Sequence, residues 1–377
     1  MHILAIDLGK HKSTSCFFDS EDGSVAYRDV PTRPQPLHDL LVELEPQRLI
    51  IEAGGPTAWV AELGRELGVE VQVANVNDAR WSWRSVPVKT DKKDALKLAV
   101  MSADGSLPQV HLPERDDRER RGLIRHRTSL IGQRTQLRNG MRSLLEQHGK
   151  YPAVGEKAWT RDGIAWLEEM ARELPELPRL RDKRAAFVLP AAAELWRLQL
   201  RQQLDLHAAV CEQIDKLEAL LNEMGERCEK TKLLRTIPGV GPRLAELLVT
   251  QIGDPHRFRS GRKVGAYRGL TPRLHQSGQM SRSGRISKQG DKQTRMMLVE
   301  VAGLARRHNP QIEAIARGVQ RGDKQRSKKA RVAAARRLAV IAWAMLRDGR
   351  AYDPDKVGPR KGGAGGASRP AQPARAA

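Results

Sequence analysis

The order of apolar runs over the first hundred residues leaves few folds open. Residues 2–9, 13–19 and 24–30 are three short strand-like runs joined by turns such as Glu21-Asp22-Gly23. Residues 36–45 follow as a short amphipathic helix, and Arg48-Leu49-Ile50-Ile51-Glu52-Ala53 is an apolar run suited to a buried strand. A helix over 57–67, a strand over 69–76 and a helix over 91–104 complete the series. The predicted order is βββ-α-β-α-β-α, and a strand that is apolar on both faces must be covered by helices on both sides.

Beyond residue 110 the character changes. Leu123, Leu130, Leu137 and Leu144 recur every seven residues among strongly basic neighbours, the pattern of a long helix with a coiled-coil seam. In 191–226, Val210, Ile214, Leu217, Leu221 and Met224 step by four and three, and the stretch between the two helices is punctuated by Pro175, Pro178 and Pro190. Heptads fix packing but not the partner, so an antiparallel hairpin within one chain and a dimerisation arm both satisfy them. Residues 231–350 are Gly- and Arg-rich and then helical from Gln293 to Arg347; the end is a Gly/Ala/Pro/Arg tract. These shifts predict four segments: an α/β domain at 1–110, a helical coiled-coil region at 111–230, a basic, mainly helical domain at 231–350, and a disordered tail at 351–377.

The charge belongs almost wholly to one segment. The chain's net charge is +21, and residues 231–350 hold 27 Lys/Arg against 7 Asp/Glu, whereas residues 1–230 hold 34 against 36. Such an asymmetry marks a face for a polyanion, and nucleic acid is the default partner. The basic part has no aromatic-rich amphipathic anchor, and no apolar run nears the ~20 residues of a membrane span, so no membrane role is expected. Three cysteines without a CxxC pair exclude a disulfide framework and a zinc ribbon, which fits a soluble, cytoplasmic protein.

Four acids carry the chemistry. Asp7 sits at the centre of the first strand-like run, and Glu52 ends the run Leu49-Ile50-Ile51. Asp91 and Asp94 open the last helix of the series, and their i, i+3 spacing puts both on one helical face. Three antiparallel strands followed by βαβα is the order of the ribonuclease H-like fold, in which the first and fourth strands are neighbours and this helix packs across them. The four carboxylates would then converge. Converging acids repel unless cations stand between them, and hard oxygen ligands suit Mg²⁺ or Mn²⁺, a pair of which serves displacement at phosphorus. Taken singly, Asp91 is also explained as a helix N-cap and Asp94 as a surface partner of Lys97. The Asp7-Leu8-Gly9-Lys10 hairpin also resembles the phosphate hairpin of actin-like ATPases, although no second Asp-Gly hairpin follows.

In the basic segment, Thr236-Ile237-Pro238-Gly239-Val240-Gly241-Pro242 between two helices resembles a helix-hairpin-helix turn. Gly239 and Gly241 would let backbone N–H groups approach a phosphate. From Tyr267 to Gly290 small residues, hydroxyls and cations alternate in what reads as a flexible loop, with Arg268, Arg273, Arg282, Arg285 and Lys288 as phosphate contacts. A hydroxyl there either donates hydrogen bonds to phosphate or attacks it.

Two motif sets in order make the chain recognisable. The first is Ile6-Asp7-Leu8-Gly9-Lys10, Ile51-Glu52-Ala53, Val73-Ala74-Asn75-Val76 with Arg80, and Lys89-Thr90-Asp91-x-x-Asp94-Ala95. The second is Pro238-Gly239-Val240-Gly241, Tyr267-Arg268-Gly269-Leu270-Thr271-Pro272, Ser277-Gly278 and Gly284-Arg285-Ile286-Ser287-Lys288-Gln289-Gly290. Together they resemble transposases of the insertion-sequence 110/1111 group, bridge-RNA-guided DEDD recombinases related to the pilin-gene invertases. The resemblance covers about residues 1–345. It implies that the DEDD tetrad is Asp7, Glu52, Asp91 and Asp94 and that the essential serine is Ser277, with Ser281 and Ser283 close by. It further implies a resolvase-like first domain, a coiled-coil middle and a C-terminal transposase domain. The implied partners are donor and target DNA, a structured guide RNA and further copies of the chain as dimer or tetramer. In that family the active site is composite, the acidic domain of one subunit meeting the serine domain of another, and the enzyme would act at the bacterial nucleoid. The alternative from another class is an inactive nucleic-acid-binding protein.

Overall fold

The structure, a computed structural model, describes residues 1–76, 78, 90–152, 158–172, 195–277 and 280–354, with the backbone alone for 274–277 and 280–283. Arg80, the Pro175–Pro190 stretch, Gly278 and the tail from 355 lie outside the described residues. The chain divides into two compact units, Met1–Glu114 and Arg115–Ala377.

The first unit is a five-stranded sheet in the order β3-β2-β1-β4-β5. Strands β1 (His2–Asp7), β2 (Lys12–Asp19) and β3 (Val25–Pro31) are antiparallel. Strands β4 (Arg48–Glu52) and β5 (Glu70–Ala74) run parallel to β1, through the helices α1 (Pro34–Leu44) and α2 (Thr57–Glu66). The predicted element order and the predicted β1–β4 neighbourhood are both found. Side chains alternate across the sheet, so one face of β1 and β4 is Leu4, Ile6, Leu49 and Ile51, packed on α1 and α2. The other face is Ile3, Ala5 and Ile50, packed on Ala95, Leu98 and Ala99 of α3 (Asp91–Ala103). Each such Leu or Ile contributes ~1.5–3 kcal/mol when fully buried, which fixes the register, because a slip of one residue would exchange the two faces.

The second unit begins with α4 (Arg115–Gln147), which lies antiparallel on α6 (Leu195–Glu226). The direction follows from their contacts: Arg120 donates to the Met224 carbonyl at 3.2 Å, Arg127 to Glu218 at 2.9 Å and Arg138 to His207 at 3.0 Å. Leu130, Ile214, Leu217 and Leu221 close one half of this seam, and Met141, Leu144, Leu200 and Leu204 the other, with α5 (Arg161–Met170) against it. The remaining helices are α7 (Glu229–Arg235), α8 (Pro242–Ile252), α9 (Gly261–Tyr267), α10 (Lys292–Ala305), α11 (Pro310–Gln320) and α12 (Ser327–Asp348). They enclose one core, with α8 buried from Leu244 to Ile252 and α12 lined by Ala330, Ala334, Leu338 and Ile341. The single helical run expected from Gln293 is three helices, because Asn309-Pro310 and Arg321-Gly322 end and restart it.

One segment departs from expectation. The stretch read as a flexible loop is an antiparallel hairpin of β6 (Pro272–Ser277) and β7 (Met280–Ile286), with Ser277 opposite Met280 at its tip. Among the described residues no helix is long and apolar enough to cross a membrane.

Candidate active site

Asp7 is not at the centre of its strand but is its last residue, half-buried, and the register Ile6↔Ile51 brings Asp7 and Glu52 to neighbouring strand ends. Alternation assigns each to the α3 face, Asp7 after Ile3 and Ala5, Glu52 after Ile50. The turn after Glu52 is held by Thr57, whose hydroxyl donates to the Glu52 carbonyl at 2.5 Å and accepts from the Gly54 N–H at 2.6 Å.

Helix α3 starts at this same edge. Its Lys92 stands 5.4 Å from the centre of the Tyr27 ring on β3, whereas Ser102 near its other end meets Arg48, where β4 begins. The N-cap is Thr90, whose hydroxyl accepts from the Lys93 N–H, so Asp91 is not the cap. Asp94 is only 3% exposed and shares the buried side of α3 with Leu98, so it is not a surface acid. Asp91, one turn earlier, is exposed. Among the described residues no three His, Cys, Asp or Glu side chains stand close enough together to hold a metal ion. All four acids therefore share one edge and one face of the unit without forming a closed ligand cluster.

Sequence reasoning missed Asp29 at this edge. The rows Asp7↔Thr14 and Thr14↔Asp29 carry it there, with Lys12 at 2.7 Å and the Thr14 hydroxyl donating at 2.8 Å. The Lys12 ammonium, then Thr14, hold its carboxyl below the usual carboxylate range. A cation five residues after Asp7 and an acid in the third strand were the only signals.

In the second unit Gly239 and Arg268, two of the expected contact residues, also have packing roles. Gly239 has φ +87°, and a Cβ there would stand 2.8 Å from Ala305 Cα, so its lack of a side chain serves the contact with α10. Gly241, the N-cap residue of α8, has open space around it. Arg268 is fully buried, donates to Gln251 Oε1 at 3.0 Å and lies 5.0 Å from the centre of the Tyr267 ring. Burial pulls its guanidinium down to about 10. It closes the core beside the C-terminal end of α8, where Arg121 and Arg257 donate to the carbonyls of Thr250 and Ile252. The Arg268 guanidinium is closed off from solvent.

The Tyr-Arg-Gly and Lys-Gln-Gly motifs are partners. Gly269 has φ +64°, and a Cβ there would meet the Gln289 carbonyl oxygen at 2.3 Å; Arg295 donates to that oxygen at 2.9 Å. The clasp fixes the base of the β6–β7 hairpin, leaving Arg273, Arg285 and Lys288 exposed beside it. Ser277, Ser281, Ser283 and Arg282 belong to the hairpin, for which the backbone alone is described.

Two family models match the chain. One, described as the transposase IS116/IS110/IS902 family, matches residues 231–317, and the other, a transposase model named for DEDD and IS110, matches residues 4–150. A probable family 20 transposase of Pseudomonas aeruginosa is 30% identical over 359 residues, 93% of this chain and 98% of that one. The IS1111A transposase of Coxiella burnetii is 26% identical over 91% of this chain and 89% of its own. The pilin gene-inverting protein of Moraxella bovis is 26% identical over 81% of each.

Proposed function

The chain belongs to the IS116/IS110/IS902 family of transposases, enzymes that cut and join DNA, and from that premise we propose how this one does so. Asp7, Glu52, Asp91 and Asp94 form a divalent-metal site in a ribonuclease H-like domain, Ser277 is the nucleophile, and a structured RNA guides a multimer to donor and target DNA. The observation that carries the acidic site is the parallel β1–β4 register, which ends Asp7 and Glu52 side by side on the face covered by α3.

The donor set fits the ion. Carboxylate oxygens at one edge suit Mg²⁺ or Mn²⁺, which when bound would neutralise the charge developing on the oxygens of an in-line displacement. Asp94 would be the anchored ligand, since α3 packing holds it, and Asp91 the exposed one that closes on substrate binding. Ser277 Oγ would form the new O–P bond as the scissile P–O bond breaks. The serine proton passes to a base and the departing strand oxygen takes up a proton. The phosphoserine ester keeps the energy of the broken phosphodiester, so rejoining needs no ATP. Arg273, Arg285 and Lys288 are the cations available to the phosphate there. Leu195, Leu198, Leu206 and Leu220, left exposed on α6, support a multimer.

Asp7→Asn or Asp94→Asn abolishes recombination while DNA binding persists; recombination by the Asp7→Ala/Asp94→Ala double variant ends the acidic-site reading. For the serine, a covalent protein–DNA adduct trapped on a nicked substrate maps to Ser277. An adduct on Ser281 or Ser283 reassigns the residue, and Ser277→Ala that recombines without any adduct removes serine chemistry altogether.

A further inference from the structure

The densest positive charge in the chain lies outside the motifs and outside both matched family segments. Between residues 318 and 337 eight Lys/Arg meet a single acid, Asp323. Helix α11 ends at Arg321 in a left-handed conformation, a short 3-10 turn covers Lys324–Arg326, and α12 starts at Ser327. Arg321, Lys324, Arg326, Lys328, Lys329 and Arg331 are therefore crowded on one corner, and all six are exposed. Asp323 pairs with Arg326 at 3.2 Å, and Glu313 is shared between Arg306 and Arg317. Among the described residues the other five cations of the corner enter no ion pair. The first turn of α12 contains no acid, so the helix dipole opposes these cations instead of offsetting them. Arg331 is held against α10, since a Cβ on Gly303 would stand 3.3 Å from its Nε. Folding gains nothing from such a corner, whereas a polyanion relieves its repulsion.

We propose that this corner, from the end of α11 to the first turns of α12, is a docking surface for the sugar-phosphate backbone of duplex DNA. It deepens the transposase reading by giving the DNA a grip separate from the β6–β7 hairpin, and it rests on that reading for its choice of DNA. The partner is a duplex because the surface lacks stacking groups. No Phe, Tyr or Trp occurs between Tyr267 and Trp343, and Trp343 is buried. Single strands are held by aromatic platforms as well as by charge, whereas a duplex backbone needs cations alone. The surface reads no sequence.

The test uses the full chain and a duplex of arbitrary sequence, with affinity measured from about 50 to about 200 mM salt. Arg321→Gln/Lys324→Gln/Lys328→Gln/Lys329→Gln is compared with Arg33→Gln/Arg65→Gln/Arg161→Gln/Arg172→Gln, which removes four exposed cations elsewhere. Each lost phosphate contact lowers the slope of log affinity against log salt by about 0.9, so the corner variant, short of four cations, loses up to about 3.6 in slope and the control almost none. Lys328→Arg/Lys329→Arg keeps the wild-type slope, which separates charge loss from unfolding. An unchanged slope, or an equal loss in the control, overturns the surface. A loss seen on single-stranded RNA but not on the duplex overturns the DNA assignment. A wild type that binds no duplex at low salt overturns both this surface and the transposase reading, whereas failure of the variant comparison overturns this surface only.

Discussion

Gly269 and Arg268 stand side by side in one motif, and both are buried. Arg268 closes the core beside α8, and Gly269 lets two chain segments cross at a distance no side chain tolerates. Gly269→Ala therefore combines a strained positive φ with a clash against the Gln289 backbone, which cannot rotate away as a side chain can. The expected loss is at least ~3 kcal/mol of unfolding free energy, read as a shift of the urea midpoint. Gly241→Ala, with φ −81° and open space, costs ~1 kcal/mol or less in the same measurement. Equal losses at the two glycines would sink the clasp. An arginine at 0% exposure lies outside what charge patterning foretells, because Arg is almost never fully buried without a partner.

Helix α8 carries a buried acid that sets a pH dependence. Glu246 is 7% exposed and pairs with Arg243 at 2.8 Å, which ordinarily lowers a carboxyl; burial outweighs the arginines and pushes it up to about 7. In the unfolded chain the group titrates near 4.5, so between about 4.5 and 7 the folded state holds the extra proton. Stability is then greatest below that window, falls as pH rises through it by on the order of 3 kcal/mol, and levels off above. Thermal melts should show this fall in the wild type and lose most of it in Glu246→Gln; identical pH profiles would remove the proton from the account. At this scale the first unit was legible and part of the second was not. Strands such as Leu49-Ile50-Ile51 announce themselves by apolar runs between turn residues, and only one arrangement buries both faces. The β6–β7 hairpin sets only Leu274, Met280 and Ile286 among its Ser, Arg, Gln and Gly, too few apolar positions to mark a strand by alternation, so nothing local distinguishes it from a loop. Its base is fixed by the Gly269 crossing, a contact between residues twenty apart in sequence.

Across the whole molecule, chemistry and charge lie in different parts of the chain. The acids belong to the first unit, while residues 231–350 carry 27 Lys/Arg against 7 Asp/Glu. Neutralising one scissile phosphate needs a few cations, and the proposed serine site would have Arg273, Arg285 and Lys288, all exposed, for that. The excess is suited to long stretches of nucleic-acid backbone, and backbone contacts by themselves carry no sequence information. The proposed guide RNA would supply the sequence choice, since pairing reads sequence and the protein need only hold the backbone. The protein purified at low salt should then carry a discrete RNA, identified by sequencing. Nuclease treatment should abolish recombination while Mg²⁺ and the four acids remain, and adding the same RNA back should restore it, whereas an unrelated RNA of equal length should not. Undiminished recombination by RNA-free protein would place sequence recognition in the protein itself, and the search for it would begin at the β6–β7 hairpin.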